Sequence, residues 1–274
     1  MRHTLLILFL SFAPMLMLPA GDASAWTAKR TKFNPAMIAR YKGMLLSRPD
    51  DSFAFRKLVG MYQTYSSMDR LIGEYKKVLK ATPDHYAHNV VLGRIYLKID
   101  RFDEAKRHFE RAAKKDPKRF EAYKNLGKLH LRKGKYDLAR TNLDLALKNV
   151  TKNKRVRERL LRELVRISVL GGDIKGGTRY FELLLKIRPG DFRTRWDFAE
   201  LLSTGMHFKK ALLQYNTLYK MVSGDTRRKV QVMKAKGQLF EKMGKDQEAI
   251  KTYWKAMALT ASGHWVRREL INRL

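Results

Sequence analysis

The chain has 274 residues, with 58 Lys and Arg against 26 Asp and Glu, a net charge of +32, and no cysteine. The last point excludes disulfides, thiol nucleophiles, thiolate metal sites and the attachment point of a bacterial lipid anchor. So strong a positive field draws anionic partners and opposes self-association, which leaves acidic proteins, anionic polysaccharides, lipid headgroups and nucleic acids as candidates.

The first segment, 1–25, reads as a secretory signal peptide. Arg2 gives a positive start, Leu5 to Leu18 is apolar apart from Ser11 and Pro14, and Ala23-Ser24-Ala25 offers small residues for cleavage before Trp26. A membrane anchor would need about 20 apolar residues. The run here is shorter and contains Pro14 and Pro19. Export without disulfides or a lipid anchor fits a bacterial periplasm, or secretion. A basic, polar lead follows at 26–34.

From Pro35 onward the chain repeats itself. Pro49, Pro83 and Pro117 stand at equal intervals, and each closes the same phrase. Ahead of Pro117 lie Leu92, Gly93, Tyr96, Ala105, Phe109 and Ala112. The preceding interval has Leu58, Val59, Tyr62, Leu71, Tyr75 and Val78, and the following one Leu126, Gly127, His130, Ala139, Leu143 and Ala146. A period of this length predicts stacked helix pairs, each burying its apolar face only against its neighbours. A half unit at 35–51 is expected first, then full units near 52–85, 86–119 and 120–153. Turns are expected at Ser66-Ser67, Ile99-Asp100 and Lys133-Gly134.

The period then slips by four residues, at Lys152 to Arg155, and resumes at 158–191 with Gly171-Gly172 at its turn. A unit at 192–225 follows, then a second slip around Asp225 to Lys229 and a unit at 230–263. The remainder, 264–274, reads as a short helix covering the open end. Gly93, Gly127 and Gly237 are placed to let paired helices approach, with Phe102, Tyr136 and Phe208 as wedges after the turns. Proline ends the second helices by removing a donor and disfavouring helix at the preceding residue.

The phrase Leu92-Gly93-x-x-Tyr96, Ala105-x-x-x-Phe109, Pro117 resembles the tetratricopeptide repeat family, over 35–263. Phe55, Asn89 and Tyr123 stand where that family's signature begins with tryptophan. The resemblance implies an all-α fold, a right-handed α-solenoid of helix–turn–helix units, whose first helices line a concave, partner-binding groove.

No catalytic constellation emerges, and no cofactor or metal is expected. His85 and His88 lie three apart without a third ligand, and His130 reads as a core residue in a signature position. Asp103-Glu104 and Gln247-Glu248 complement helix dipoles. The glycine run Gly171 to Gly177 falls on a helix–helix turn and makes a poor phosphate loop.

Carrying the family's groove positions onto each unit selects Arg56, Arg94, Lys98, Lys124, Lys128, Arg132, Arg159, Arg162, Arg166, Arg193, Lys234 and Lys242, against the acids Glu121, Glu200 and Glu241. The density is highest in the third and fourth units, where Arg159, Arg162 and Arg166 share one helical face. Arginine's fork suits carboxylate, sulfate or phosphate oxygens. Lys124 and Asn125 match part of a set by which some family members hold a C-terminal carboxylate. However, Lys128 stands where that set has asparagine, and Glu163 opposes an anion. Trp196 is the aromatic candidate for stacking on a sugar or a peptide side chain.

The expectation is a non-enzymatic periplasmic scaffold, binding an acidic protein segment in a basic groove within an envelope assembly or secretion complex. The alternative is binding or guiding an anionic exopolysaccharide or lipopolysaccharide during export. Nucleic acid is favoured by charge but disfavoured by the export signal and the sparse groove aromatics.

Overall fold

The computed structural model describes residues 33–260 and 265–272. The expected signal peptide and most of the basic lead lie outside these residues. Within them the chain is all-α: α1 (Pro35–Ser47), α2 (Ser52–Tyr65), α3 (Met68–Ala81), α4 (Tyr86–Lys98), α5 (Phe102–Lys115), α6 (Phe120–Arg132) and α7 (Tyr136–Asn149). There follow α8 (Lys154–Leu170), α9 (Ile174–Ile187), α10 (Phe192–Thr204), α11 (Phe208–Met221), α12 (Thr226–Lys242), α13 (Asp246–Ala258) and α14 (Trp265–Ile271). No described helix is long and apolar enough to cross a membrane.

Local chemistry sets the boundaries. Pro35 occupies the first turn of α1, where a missing N–H is harmless. Side chains of Asn34, Asp51, Ser67, Asn153, Asp173, Asp191 and Asp225 cap helix N-termini by accepting from backbone N–H groups two or three residues on. The turns inside several units instead use a residue in the left-handed region: Asp100, Gly134, Gly172, Met206 and Gly244. In four of them the next N–H reaches back into the first helix, as Arg101 N does to the Tyr96 carbonyl and His207 N to that of Leu202. This closes the helix end and reverses the chain at once.

The core runs along the array. One cluster joins Ile38, Tyr62, Tyr75, Leu92, Tyr96 and Phe109, and a second joins Leu143, Leu164, Phe181, Phe198, Tyr215 and Val232. Close helix pairing depends on glycine where the repeat phrase puts it. A Cβ on Gly93 would lie 2.6 Å from the Phe109 ring, and one on Gly127 2.6 Å from Leu143. Of the expected wedges, Phe102 and Phe208 pack against the core while Tyr136 is exposed. Leu270 of α14 is fully buried with Val230, Met233 and Tyr253.

The two slips are absorbed by helix. First helices α4, α6 and α10 have 13 residues each, while α8 and α12 have 17. The fourth unit therefore begins at Lys154 rather than 158, and the sixth at Thr226 rather than 230. Each insertion adds one turn, about 6 Å at 1.5 Å per residue. Across units α4 touches α6 and α8 touches α10, so the first helices form one layer.

Candidate binding groove

The first-helix layer curves back on its own beginning. Arg94 of α4 donates to the carbonyls of Pro49 and Asp51 in the α1–α2 turn and lies 4.0 Å over the Phe55 ring. Lys124 of α6 pairs with Asp50 of the same turn, across 74 residues of sequence. Ser52 then shares a cleft with Lys124, Lys128, Leu143, Val156, Arg159, Leu160 and Glu163. Three or more first helices thus converge on the turn at 50–52.

Most of the basic residues selected from sequence are engaged within the chain. Arg132 donates to the Leu97 carbonyl and Asp100 and stacks 5.3 Å over Phe102. Arg162 bonds Glu158 at 3.2 Å and the Thr194 hydroxyl at 2.8 Å, with Asp191 and Asp197 each at 3.8 Å. Arg166 pairs with Glu163 at 2.6 Å, and Arg193 with Asp197 at 2.7 Å. Lys242 donates to the Ser203 hydroxyl at 3.3 Å. Arg159, Arg162 and Arg166 therefore do not act as the one face the sequence spacing suggests: Arg159 lies on the α6 side of α8 and is uncommitted, whereas Arg162 and Arg166 lie on the α10 side and are neutralised by the acids that space them.

The acids are engaged as well. Glu121 accepts from Tyr86 at 3.0 Å and Arg119 at 2.7 Å, Glu200 from Tyr215, and Glu241 from Tyr253 at 2.8 Å. Trp196 is no open platform. It stacks on Phe192 at 5.7 Å, meets Tyr215 edge-on at 5.7 Å, and packs against the core. Asn125 is buried and donates to the Glu121 carbonyl at 2.7 Å, so the carboxylate-holding set is spent on the fold at both of its matching positions. Asn89, at the signature tryptophan position, is fully buried and bonded to the Pro83 and His85 carbonyls and to His108. His85 caps α4, and its Nδ1 lies 2.9 Å from that of His88, a local cap rather than a ligand pair. His130 leaves a buried Nδ1 without a partner.

What remains is concentrated in the α6–α8 cleft, of about 270 Å³. Lys128 and Arg159 are exposed there, and neither has an ion pair among the described residues; the same holds of Arg56 and Lys98 elsewhere in the layer. Burial, Lys128 and Arg94 hold the Lys124 amine down to about 8 although Asp50 opposes the shift. Lys128 is lowered too, first by desolvation and then by Arg94 and Arg159, against Asp50 and Glu163. Four cations thus surround two carboxylates, which leaves a net positive charge beside the buried Lys124–Asp50 pair, open to an added anion.

A second cleft, of about 220 Å³, opens on the other side of α8. Its floor is Val165, Phe181, Leu184, Phe198 and Leu201, with the two rings stacked at 4.1 Å; its rim is Arg162, Arg166, Thr194 and Asp197. The sequence pattern marked its arginines but not the opening itself.

Comparison with known proteins agrees with this architecture. Residues 90–153 match the family model described as tetratricopeptide repeat. No curated protein matches the sequence. Among solved structures, the C-terminal part of a TPR repeat-containing protein from Cytophaga hutchinsonii superposes with a TM-score of 0.57, at 14% identity over 86% of this chain and 93% of that one. A chain from the structure of Naa15/Naa10 bound to HypK-THB gives 0.52, at 18% identity over 80% of this chain and 33% of that one. At such identities the likeness concerns the fold alone, an α-solenoid of stacked helix pairs, and the tetratricopeptide repeat match itself is to residues 90–153.

Proposed function

We propose that this protein is a non-enzymatic scaffold of the bacterial periplasm, and that it holds an acidic segment of a protein partner in the cleft between α6 and α8. The observation that carries the reading is the pair of uncommitted cations, Lys128 and Arg159, on facing helices of a cleft whose other charges are already matched. Protein partners are the general business of tetratricopeptide repeats, and the +32 charge supplies long-range steering toward an anion. An envelope assembly or secretion complex is the setting that the export signal favours.

The test is cross-linking and affinity capture from the native envelope with the wild type, with Lys128→Ser/Arg159→Ser and, as a control, Lys80→Ser. The double variant loses the acidic partner by at least tenfold in affinity, whereas Lys80→Ser, which removes an exposed cation on the second helix α3 outside both clefts, changes it little. Undiminished capture by the double variant refutes the reading. Capture of polysaccharide in place of protein, with affinity falling steeply in salt, replaces it with the carbohydrate role. The mature protein is expected to begin at Trp26, which N-terminal sequencing checks.

A further inference from the structure

Both clefts flank one helix, α8, and they differ in chemistry. Glu163, Arg159 and Leu160 face the α6 side; Arg162, Val165 and Arg166 face the α10 side. The α10-side cleft exists because α10 meets α9 only lightly, whereas α5 with α6 and α7 with α8 close the equivalent seams. The stacked rings of Phe181 and Phe198, with Leu184, therefore form an apolar floor that no side chain of the described chain fills. A rim in which Arg162, Arg166 and Asp197 already have ion partners gains little from another charge. Such a socket rewards an apolar side chain instead, with about 25 cal/mol returned for each Å² of apolar surface removed from water.

Resting on the basic cleft proposed above, we infer that the partner is an extended peptide with two anchors: an acidic residue over Lys128 and Arg159, and a leucine- or phenylalanine-sized side chain seated between Val165, Phe181 and Leu201. Packed helices are spaced by about 8–10 Å. The centres of clefts on either side of α8 are thus about 10 Å apart, which an extended chain at about 3.3 Å per residue covers in three residues. The recognised pattern is an acidic residue followed, three positions away, by a large apolar one. The direction of the chain in the groove decides which comes first. A polysaccharide offers no counterpart to the second anchor, and a second copy of this chain is opposed by its own charge.

The test uses fluorescein-labelled twelve-residue peptides in a Gly/Ser background. Each carries an acidic pair and a leucine one, three or five positions away, in both orders, with serine replacing leucine as reference. By anisotropy the wild type binds the three-position leucine peptide of one order about tenfold more tightly than its serine reference, and the one- and five-position peptides less well. Leu201→Gln, at the one partly exposed residue of the apolar floor, brings that ratio toward one while leaving the serine reference unchanged. Equal binding of leucine and serine peptides by the wild type at every spacing overturns the socket and leaves the basic cleft intact. Acidic-peptide binding that survives Lys128→Ser/Arg159→Ser overturns the cleft itself.

Discussion

Lys124 ties the groove to the stability of the fold, and its titration can be read directly. Its side chain is 12% exposed and its partner Asp50 14%. Burial, with Lys128 and Arg94 nearby, holds its amine at about 8 against an ordinary 10.5. Between those two values the unfolded chain binds a proton that the folded chain does not, so stability rises with pH across the window. The gain is about 3 kcal/mol, at about 1.4 kcal/mol for each pH unit. Other groups also titrate there, so the quantity to measure is the difference between wild type and Lys124→Met. Urea unfolding followed by far-UV circular dichroism at pH 7, 8, 9, 10 and 10.5 should show that difference moving by about 3 kcal/mol in favour of the wild type, most of it above pH 8. Asp50→Asn removes the carboxylate that opposes the shift, and the rise should then begin below pH 8. A difference that stays flat across the window, or an onset that Asp50→Asn leaves unmoved, refutes the account of a desolvated lysine held by one carboxylate.

Three further outcomes follow from the fold. Gly93→Ala places a methyl 2.6 Å from the Phe109 ring and should cost about 1–3 kcal/mol in urea unfolding, with Phe109→Leu restoring part of the loss in the double variant. Met206, exposed and held at φ 60°, should be better served by glycine; Met206→Gly is expected to raise stability by about 1 kcal/mol, measured the same way. Burial, then Arg111 and Arg107, push His108 down to about 4 from 6.5. The unfolded chain takes up the proton first, so its contribution is complete above pH 6.5 and is lost as pH falls toward 4. His108→Gln should flatten that limb of the pH–stability curve.

The fold was legible because every repeat states it again. Gly93 against Phe109 and Gly127 against Leu143 are contacts between residues sixteen apart, within one unit, and the spacing of small and bulky residues announces them. The groove was less legible because its decisive contacts cross units. Arg94 to Pro49 and Lys124 to Asp50 span 45 and 74 residues, and no local pattern records them. The doubled acid Asp50-Asp51 after Pro49 was the available signal, since Pro83 is followed by the single Asp84. Charge spacing alone overstated Arg162, Arg166 and Arg193, whose carboxylate partners, four residues before, three before and four after, sit in plain view in the sequence. The socket beside α8 had no sequence signature, because it arises from how far α10 stands off α9.

The extra turns of α8 and α12 bear on how the chain finds its fold. An array of equal units has an inexpensive error open to it: one unit stacks on the next but one, loops out the unit between, and still buries a compatible face. Here the fourth and sixth units carry first helices one turn longer than those of the second, third and fifth. A long helix set against a neighbour meant for a short one leaves about 6 Å of cation-bearing chain, Lys154 and Arg155 or Arg227 and Arg228, without its proper surroundings. The two insertions thus make the fourth and sixth units distinguishable from their neighbours along a sequence that otherwise repeats itself.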